Sequence, residues 1–88
     1  MGAKFGALVR EARLASGKTQ ASISNALRVS VAYVSAIEHG NGDVSPLQAA
    51  RFAKALGANQ AEYVQLVLQD RFDAWGLNLT VKVERQEK

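Results

Sequence analysis

The amino-acid sequence predicts a mainly α-helical fold, in which a bundle of five short helices is followed by one C-terminal β-strand. Apolar residues recur at helical spacing in five segments, and capping residues or glycines mark the ends of these segments. Near the C-terminus, apolar and polar residues instead alternate strictly over residues 77–84, which is the period of a strand. The change of period therefore separates a helical part from a short tail.

The first three predicted helices are short and closely spaced. The first covers residues 3–16. The side chain of Thr19 can cap a second helix over residues 20–27, and that of Ser30 can cap a third over residues 31–38. Two helices of eight residues joined by a brief turn are therefore expected in the middle of the domain.

The fourth and fifth helices have clear start signals. Ser45 is a capping residue, Pro46 stands at the first helical position, and Gln48 follows three residues after the cap. The fourth helix is expected to end at Leu56, just before a glycine. Asn59 begins the fifth helix by the same logic as Ser45.

The alternating tail is expected to hold two chains together. A lone strand has no partner for its backbone N–H and C=O groups within the chain, so pairing with a two-fold copy would make a homodimer. On this interpretation residues 3–72 form the bundle and residues 73–88 a dimerisation arm whose last residues, 85–88, fray. The alternative is a tail that folds back on its own bundle or stays disordered. The apolar residues expected in the dimer interface are Leu77, Leu79, Val81 and Val83.

The composition of the chain limits the classes of function that it could have. The 88 residues suit one small domain, and the net charge of +3 is compatible with an acidic partner. With no cysteine and one histidine, neither a metal site nor another cofactor is expected. No catalytic motif appears, so the chain is not expected to be an enzyme. A secretory signal and a membrane-spanning run are also not apparent, which favours a cytoplasmic protein.

Residues 20–40 resemble the helix-turn-helix of the Xre/Cro/C1-type repressors, which bind operator DNA. The matching stretch reads KTQASISNALRVSVAYVSAIEHGNG, and the segments before and after it are similar to the first and fourth helices of that family. The resemblance covers residues 5–72. It implies a bundle of the lambda-repressor-like DNA-binding type, with double-stranded DNA as the partner.

The resemblance also implies roles for individual residues. Arg13 and Glu38 match a structural ion pair between the first and third helices. Arg28 stands where relatives often have glycine in a left-handed conformation, and it could reach a phosphate. The residues implied in DNA binding are Thr19, Gln20, Arg28, Ser30, Val31, Ala32, Tyr33, Ser35, Ala36 and Asn41.

The third helix departs from the family in one respect. The positions that the resemblance implies in base reading hold Val31, Ala32 and Ala36, where most relatives have polar residues. Three interpretations stay open: the apolar side chains pack on thymine methyl groups, the helix binds DNA mainly through shape and charge, or this face binds a protein.

Sequence-specific DNA binding is the preferred function. The sequence is interpreted as a transcriptional regulator, plausibly a repressor of phage or mobile-element type, that binds a palindromic operator as a homodimer. The alternative is a protein-interaction module, antitoxin-like or an anti-repressor, that kept the bundle but lost strong base readout.

Overall fold

A computed structural model describes residues 3–84, and this part of the chain forms five α-helices. Three of them have the predicted bounds, the first ends one residue earlier than predicted, and the fifth continues two residues past residue 72. The prediction of a five-helix bundle is therefore confirmed. The helices are α1 (Ala3–Ala15), α2 (Gln20–Leu27), α3 (Val31–Glu38), α4 (Pro46–Leu56) and α5 (Gln60–Ala74).

Side-chain caps fix where four of the helices begin. In each case an oxygen of the capping residue accepts a hydrogen bond, 3.0–3.1 Å long, from the backbone N–H three residues later. These bonds satisfy donors that the first turn of a helix otherwise leaves free, so the boundaries depend on local chemistry. The predicted caps are confirmed, and they are Thr19, Ser30, Ser45 and Asn59.

The hydrophobic core gathers buried side chains from all five helices. Phe5 of α1 lies at its centre and makes edge-to-face contacts with Phe52 of α4 and Tyr63 of α5, with ring centroids 5.9 Å and 5.7 Å apart. Gly6 brings α1 directly against the end of α3, because a Cβ atom at this position would collide with the carbonyl oxygen of Ile37. The core therefore sets the position of α3 relative to α1.

The predicted C-terminal β-strand is wrong, because no residue between 3 and 84 forms a strand. The segment docks on α5 of its own chain instead. Gln69 donates a hydrogen bond from Nε2 to the carbonyl oxygen of Leu79 (2.9 Å) and accepts one at Oε1 from the N–H of Val81 (2.7 Å). Gln65 Oε1 accepts from the N–H of Val83 (3.0 Å). Two glutamine side chains thus take backbone hydrogen bonds that a neighbouring strand would have taken.

One-sided packing accounts for the alternating pattern in residues 80–84 only, because Leu77 and Leu79 are exposed like the polar residues beside them. Val81 and Val83 are half-buried, whereas Thr80, Lys82 and Glu84 between and beside them are exposed. Any extended segment that lies on one surface produces such a period, whether or not another strand pairs with it. The remainder of the predicted arm, residues 85–88, lies outside the described residues.

None of the helices in residues 3–84 has the length and apolar character needed to cross a membrane.

Candidate nucleic-acid interface

A tight turn connects α2 to α3. Arg28 ends α2 in the left-handed conformation, with φ 57° and ψ 46°, and its N–H points back to the carbonyl oxygens of Asn25 and Ser24. The N–H of Val29 bonds to the Ser24 carbonyl oxygen at 3.0 Å. These hydrogen bonds satisfy carbonyl oxygens of the last turn of α2 and end the helix within two residues. The third helix can therefore begin at once, at an angle to the second.

One side of α3 packs into the core and the other side is open. Val34 and Ile37 are buried, with 0% and 2% of their surface exposed. Val31 is 44% exposed, Ala32 is also exposed, and Ala36 is half-buried. The three apolar residues at the positions implied in base reading thus leave a small apolar surface on the first turns of α3.

Apart from Glu38 at its end, the polar residues of α3 are Tyr33 and Ser35, and both carry hydroxyl groups, as does the capping residue Ser30. Ser30 Oγ accepts the capping bond from the N–H of Tyr33 at 3.0 Å. The Tyr33 ring is half-buried and stacks on Phe52, with centroids 6.3 Å apart and ring planes at 26°. Ser35 is half-buried. One side of the Tyr33 ring is therefore packed against the core, while the rest of this α3 side chain stays partly exposed.

The N-terminus of α2 is anchored to the end of α3. Gln20 Nε2 lies 3.3 Å from Glu38 Oε1, a hydrogen bond that the sequence alone did not reveal. The amide group has two hydrogens, so one remains for another acceptor. Thr19, the preceding residue, is exposed and caps α2 with its hydroxyl oxygen. Both residues lie at the positive end of the α2 dipole, where an anion is favoured.

The carboxylate of Glu38 is the centre of a buried polar cluster. Arg13 Nε donates to Glu38 Oε2 at 2.7 Å, and Arg13 Nη2 donates to Oε1 at 3.0 Å. The Glu38 side chain is 2% exposed and that of Arg13 is 12% exposed. Arg13 Nη1 also donates to the Lys18 carbonyl oxygen at 3.0 Å. The hydrogen bond to Glu38, with the attraction of its charge, raises the pKa of Arg13 against the opposing effect of burial.

Besides Arg13, three basic side chains donate hydrogen bonds to carbonyl oxygens of other parts of the bundle. Arg51 Nη2 donates to Leu27 at the end of α2 (2.6 Å), and Arg71 Nη2 donates to Val44 (3.1 Å). Lys18 Nζ donates to Ala55 (2.6 Å). The Arg51 contact went unpredicted, although a basic residue near the last carbonyls of a helix is a known preference. Arg28, in contrast, is exposed at the turn between α2 and α3.

The loop after α3 closes that helix with backbone bonds. The N–H of Asn41 bonds to the carbonyl oxygen of Ala36 at 2.8 Å, and the Asn41 side chain is exposed. His39 Nδ1 lies 2.7 Å from the Ser35 carbonyl oxygen. Asn41 thus lies beside the end of α3, apart from the apolar first turns.

The spatial order of these elements corresponds to a family of known proteins. Residues 4–66 match the family described as a helix-turn-helix domain. The chain belongs to this helix-turn-helix family. The matched range includes α2, the turn at Arg28, α3 and α4, with nearly all of α1 and the first half of α5.

A solved structure gives a second comparison for this helix-turn-helix domain. The fold is similar to the crystal structure of the clp gene regulator ClgR from C. glutamicum, with a TM-score of 0.67 and 32% sequence identity. The likeness covers 78% of this chain and 90% of that chain. No curated protein matches the chain in sequence.

The match to the helix-turn-helix family and the likeness to a gene regulator support the same conclusion: the chain is a DNA-binding transcription regulator rather than an enzyme. In this architecture the second helix of the motif lies in the major groove and the first crosses the backbone. Residues 3–84 contain no group of acidic or histidine side chains that could hold a metal ion.

Proposed function

We propose that this protein is a repressor of the Xre/Cro/C1 type, from a phage or mobile element, that binds a palindromic operator as a homodimer. The observation that supports base reading is the open first turn of α3, with Val31 and Ala32 exposed beside the exposed turn residue Arg28. An α-helix fits the B-DNA major groove, and its N-terminal residues face the base edges. Because the proposed ligand is DNA, the proposed location is the cytoplasm.

The proposed roles of individual residues are those that the family resemblance implies. Val31, Ala32 and Ala36 contact base edges, and the hydroxyls of Ser30, Tyr33 and Ser35 supply hydrogen bonds to bases or phosphates. The N-terminus of α2, the turn between α2 and α3 and the loop after α3 contact the phosphate backbone. Phosphate contacts fix the position of a protein on the duplex but do not read the base sequence. The proposed backbone contacts are Thr19, Gln20, Arg28 and Asn41.

Gln20 is well placed for a phosphate because its amide is held on one side. The bond to Glu38 Oε1 orients the side chain, so the second amide hydrogen can reach a DNA oxygen without a further loss of rotamer freedom. The Arg13–Glu38 pair fixes the far end of α3 at the same point. The proposal is that this cluster sets the angle between the two motif helices.

The proposed homodimer uses the exposed apolar residues of the C-terminal segment. Three apolar residues of this segment are exposed within five positions of the chain: Trp75 (67%), Leu77 (41%) and Leu79 (58%). Exposed apolar residues gathered in one segment are typical of an interaction surface. Val81 and Val83 are bonded to α5 of their own chain through their backbone N–H groups. In this proposal they anchor the segment and do not contact the second copy.

One experiment tests the function: selection of bound sequences from a random pool of double-stranded DNA. Recovery of a two-fold symmetric sequence is the expected result. Val31→Asp should abolish binding to that sequence, because a carboxylate would face groove acceptors and phosphates. Gln60→Asp is the matched control, since it adds the same charge to the exposed first turn of α5. Folding of both variants is checked by circular dichroism.

The alternative function is an interaction module that binds another protein, antitoxin-like or an anti-repressor. The observation in its favour is that α3, with the sequence VAYVSAIE, contains no Arg, Lys, Asn or Gln. It predicts weak binding to every DNA sequence, no enrichment in the selection, and a stable complex with a protein partner. Enrichment of a symmetric site that is lost in Val31→Asp and kept in Gln60→Asp would exclude it.

A further inference from the structure

The recognition helix has an unusual set of chemical groups for reading bases. Bidentate recognition of guanine uses Arg or Lys, and that of adenine uses Asn or Gln. None of these four residue types occurs in α3. What the open face offers is the methyl groups of Val31 and Ala32, with Ala36 half-buried one turn further on.

The hydroxyl groups around this face do not distinguish cytosine from thymine. A hydroxyl both donates and accepts, so Ser30, Tyr33 and Ser35 can bond either to the O4 acceptor of thymine or to the N4 donor of cytosine. The same argument holds for the O6 and N6 groups of the paired purines. Discrimination by this helix therefore depends on contacts with apolar groups.

The C5-methyl group of a pyrimidine is the apolar group that the major groove displays. Thymine has it, and cytosine acquires it at the same ring position when it is methylated. We infer that α3 reads C5-methyl groups, so that thymine and 5-methylcytosine are equivalent at the contacted positions and unmethylated cytosine is rejected. This inference rests on the proposed DNA-binding function, and it makes binding responsive to cytosine methylation.

The size of the effect follows from the burial of one methyl group. Burial of a methylene-sized group contributes roughly 0.8 kcal/mol, which corresponds to about a fourfold change in affinity. A symmetric operator presents each position twice, so changing both copies should alter the affinity by about fifteenfold. This difference is large enough to measure reliably by fluorescence anisotropy.

The test uses the full chain and the operator recovered by selection. At each thymine of the half-site, four duplexes are compared, with T·A, U·A, 5-methyl-C·G and C·G in both copies. At one or more positions T·A and 5-methyl-C·G should bind within about threefold of each other, and U·A and C·G should bind about fifteenfold more weakly. Val31→Ala should shrink this methyl effect at one position. Leu14→Ala, which truncates another exposed apolar residue, should not.

The outcomes separate the inference from the function on which it rests. If uracil binds as tightly as thymine at every position, or if methylation of cytosine brings no gain, methyl reading is overturned while sequence-specific binding stands. If the selection enriches no sequence, both the proposed function and the inference fail. A methyl effect that is identical in Val31→Ala and in the unaltered chain at every position would remove Val31 as the reader.

Discussion

Arg13 and Glu38 are joined by two hydrogen bonds, at 2.7 Å and 3.0 Å, although 25 residues separate them in the chain. The pair links the last turn of α1 to the last residue of α3, and Gln20 adds the first residue of α2 through Glu38 Oε1. Three helices thus meet at one buried carboxylate. Because two of these helices form the helix-turn-helix motif, we propose that the pair holds the proposed interface in shape.

Loss of Arg13 should destabilise the fold. Arg13→Ala would leave the buried Glu38 carboxylate with only the 3.3 Å bond from Gln20, and breaking a buried pair on one side costs about 2–4 kcal/mol. The measurement is the free energy of unfolding in urea. Lys54→Ala, an exposed substitution on α4, is the control and should change the stability by less than about 0.5 kcal/mol. Equal urea midpoints for the two variants would show that the pair does not stabilise the bundle.

Local signals made the helices predictable. Ser45–Pro46 and the capping residue Asn59 act within one turn of the chain, so the sequence contains all that is needed to place the starts of α4 and α5. The αL turn at Arg28 was harder to foresee from residue type, because a glycine would be the usual signal. The family resemblance, and not the chemistry of arginine, pointed to it.

The tail and the polar contacts between helices could not be predicted in the same way. Alternation in residues 77–84 indicates an extended segment, but the sequence does not say whether another strand or the side chains of Gln65 and Gln69 will satisfy its backbone. Likewise, the bonds from Gln20 to Glu38 and from Arg51 to the Leu27 carbonyl join residues 18 and 24 positions apart. Such contacts depend on how the helices pack, which no local pattern specifies.

Arg28 should separate stability from DNA binding. Its φ of 57° costs a residue with a side chain about 1 kcal/mol relative to glycine, so Arg28→Gly should make the fold more stable by about 0.5–1 kcal/mol. The same variant should weaken binding to all DNA sequences and reduce the slope of log affinity against log salt by about one. Arg28→Ala is the control, because it removes the charge and keeps the strain. A changed sequence preference with an unchanged slope would argue against a phosphate contact.

Tyr63 should make the stability fall at high pH. Its ring is buried, no described residue bonds to its hydroxyl, and burial, followed by the charge of Glu62, raises its pKa. Since the folded pKa lies above the unfolded value of about 10, the contribution to stability is complete below pH 10 and is lost as the pH rises beyond it. Tyr63→Phe should therefore flatten the loss of stability that sets in as the pH rises above about 10, as measured by urea unfolding.

The same variant should gain stability at neutral pH, by about 1 kcal/mol, because it removes a buried hydroxyl that has no partner among residues 3–84. Tyr33→Phe serves as the comparison, since it removes the hydroxyl of a half-buried ring that stacks on Phe52. A Tyr63→Phe protein that is less stable than the unaltered chain at pH 7 would indicate that the hydroxyl has a favourable interaction after all.

The exposed part of the C-terminal segment should determine whether the protein is a dimer. Leu77→Ser combined with Leu79→Ser removes two exposed apolar side chains, leaves the net charge of +3 unchanged, and keeps the glutamine contacts to the Leu79, Val81 and Val83 backbone. If these side chains form the interface, sedimentation should show a monomer. The affinity for the complete palindrome should fall, while the weak affinity for a single half-site should stay the same, because phosphate attraction is unaltered.

The matched control for the double variant is Thr80→Ser, which changes an exposed residue of the same segment without removing an apolar surface. A double variant that remains a dimer with full operator affinity would exclude this segment as the interface and direct attention to the half-buried Val64 and Leu68 on α5.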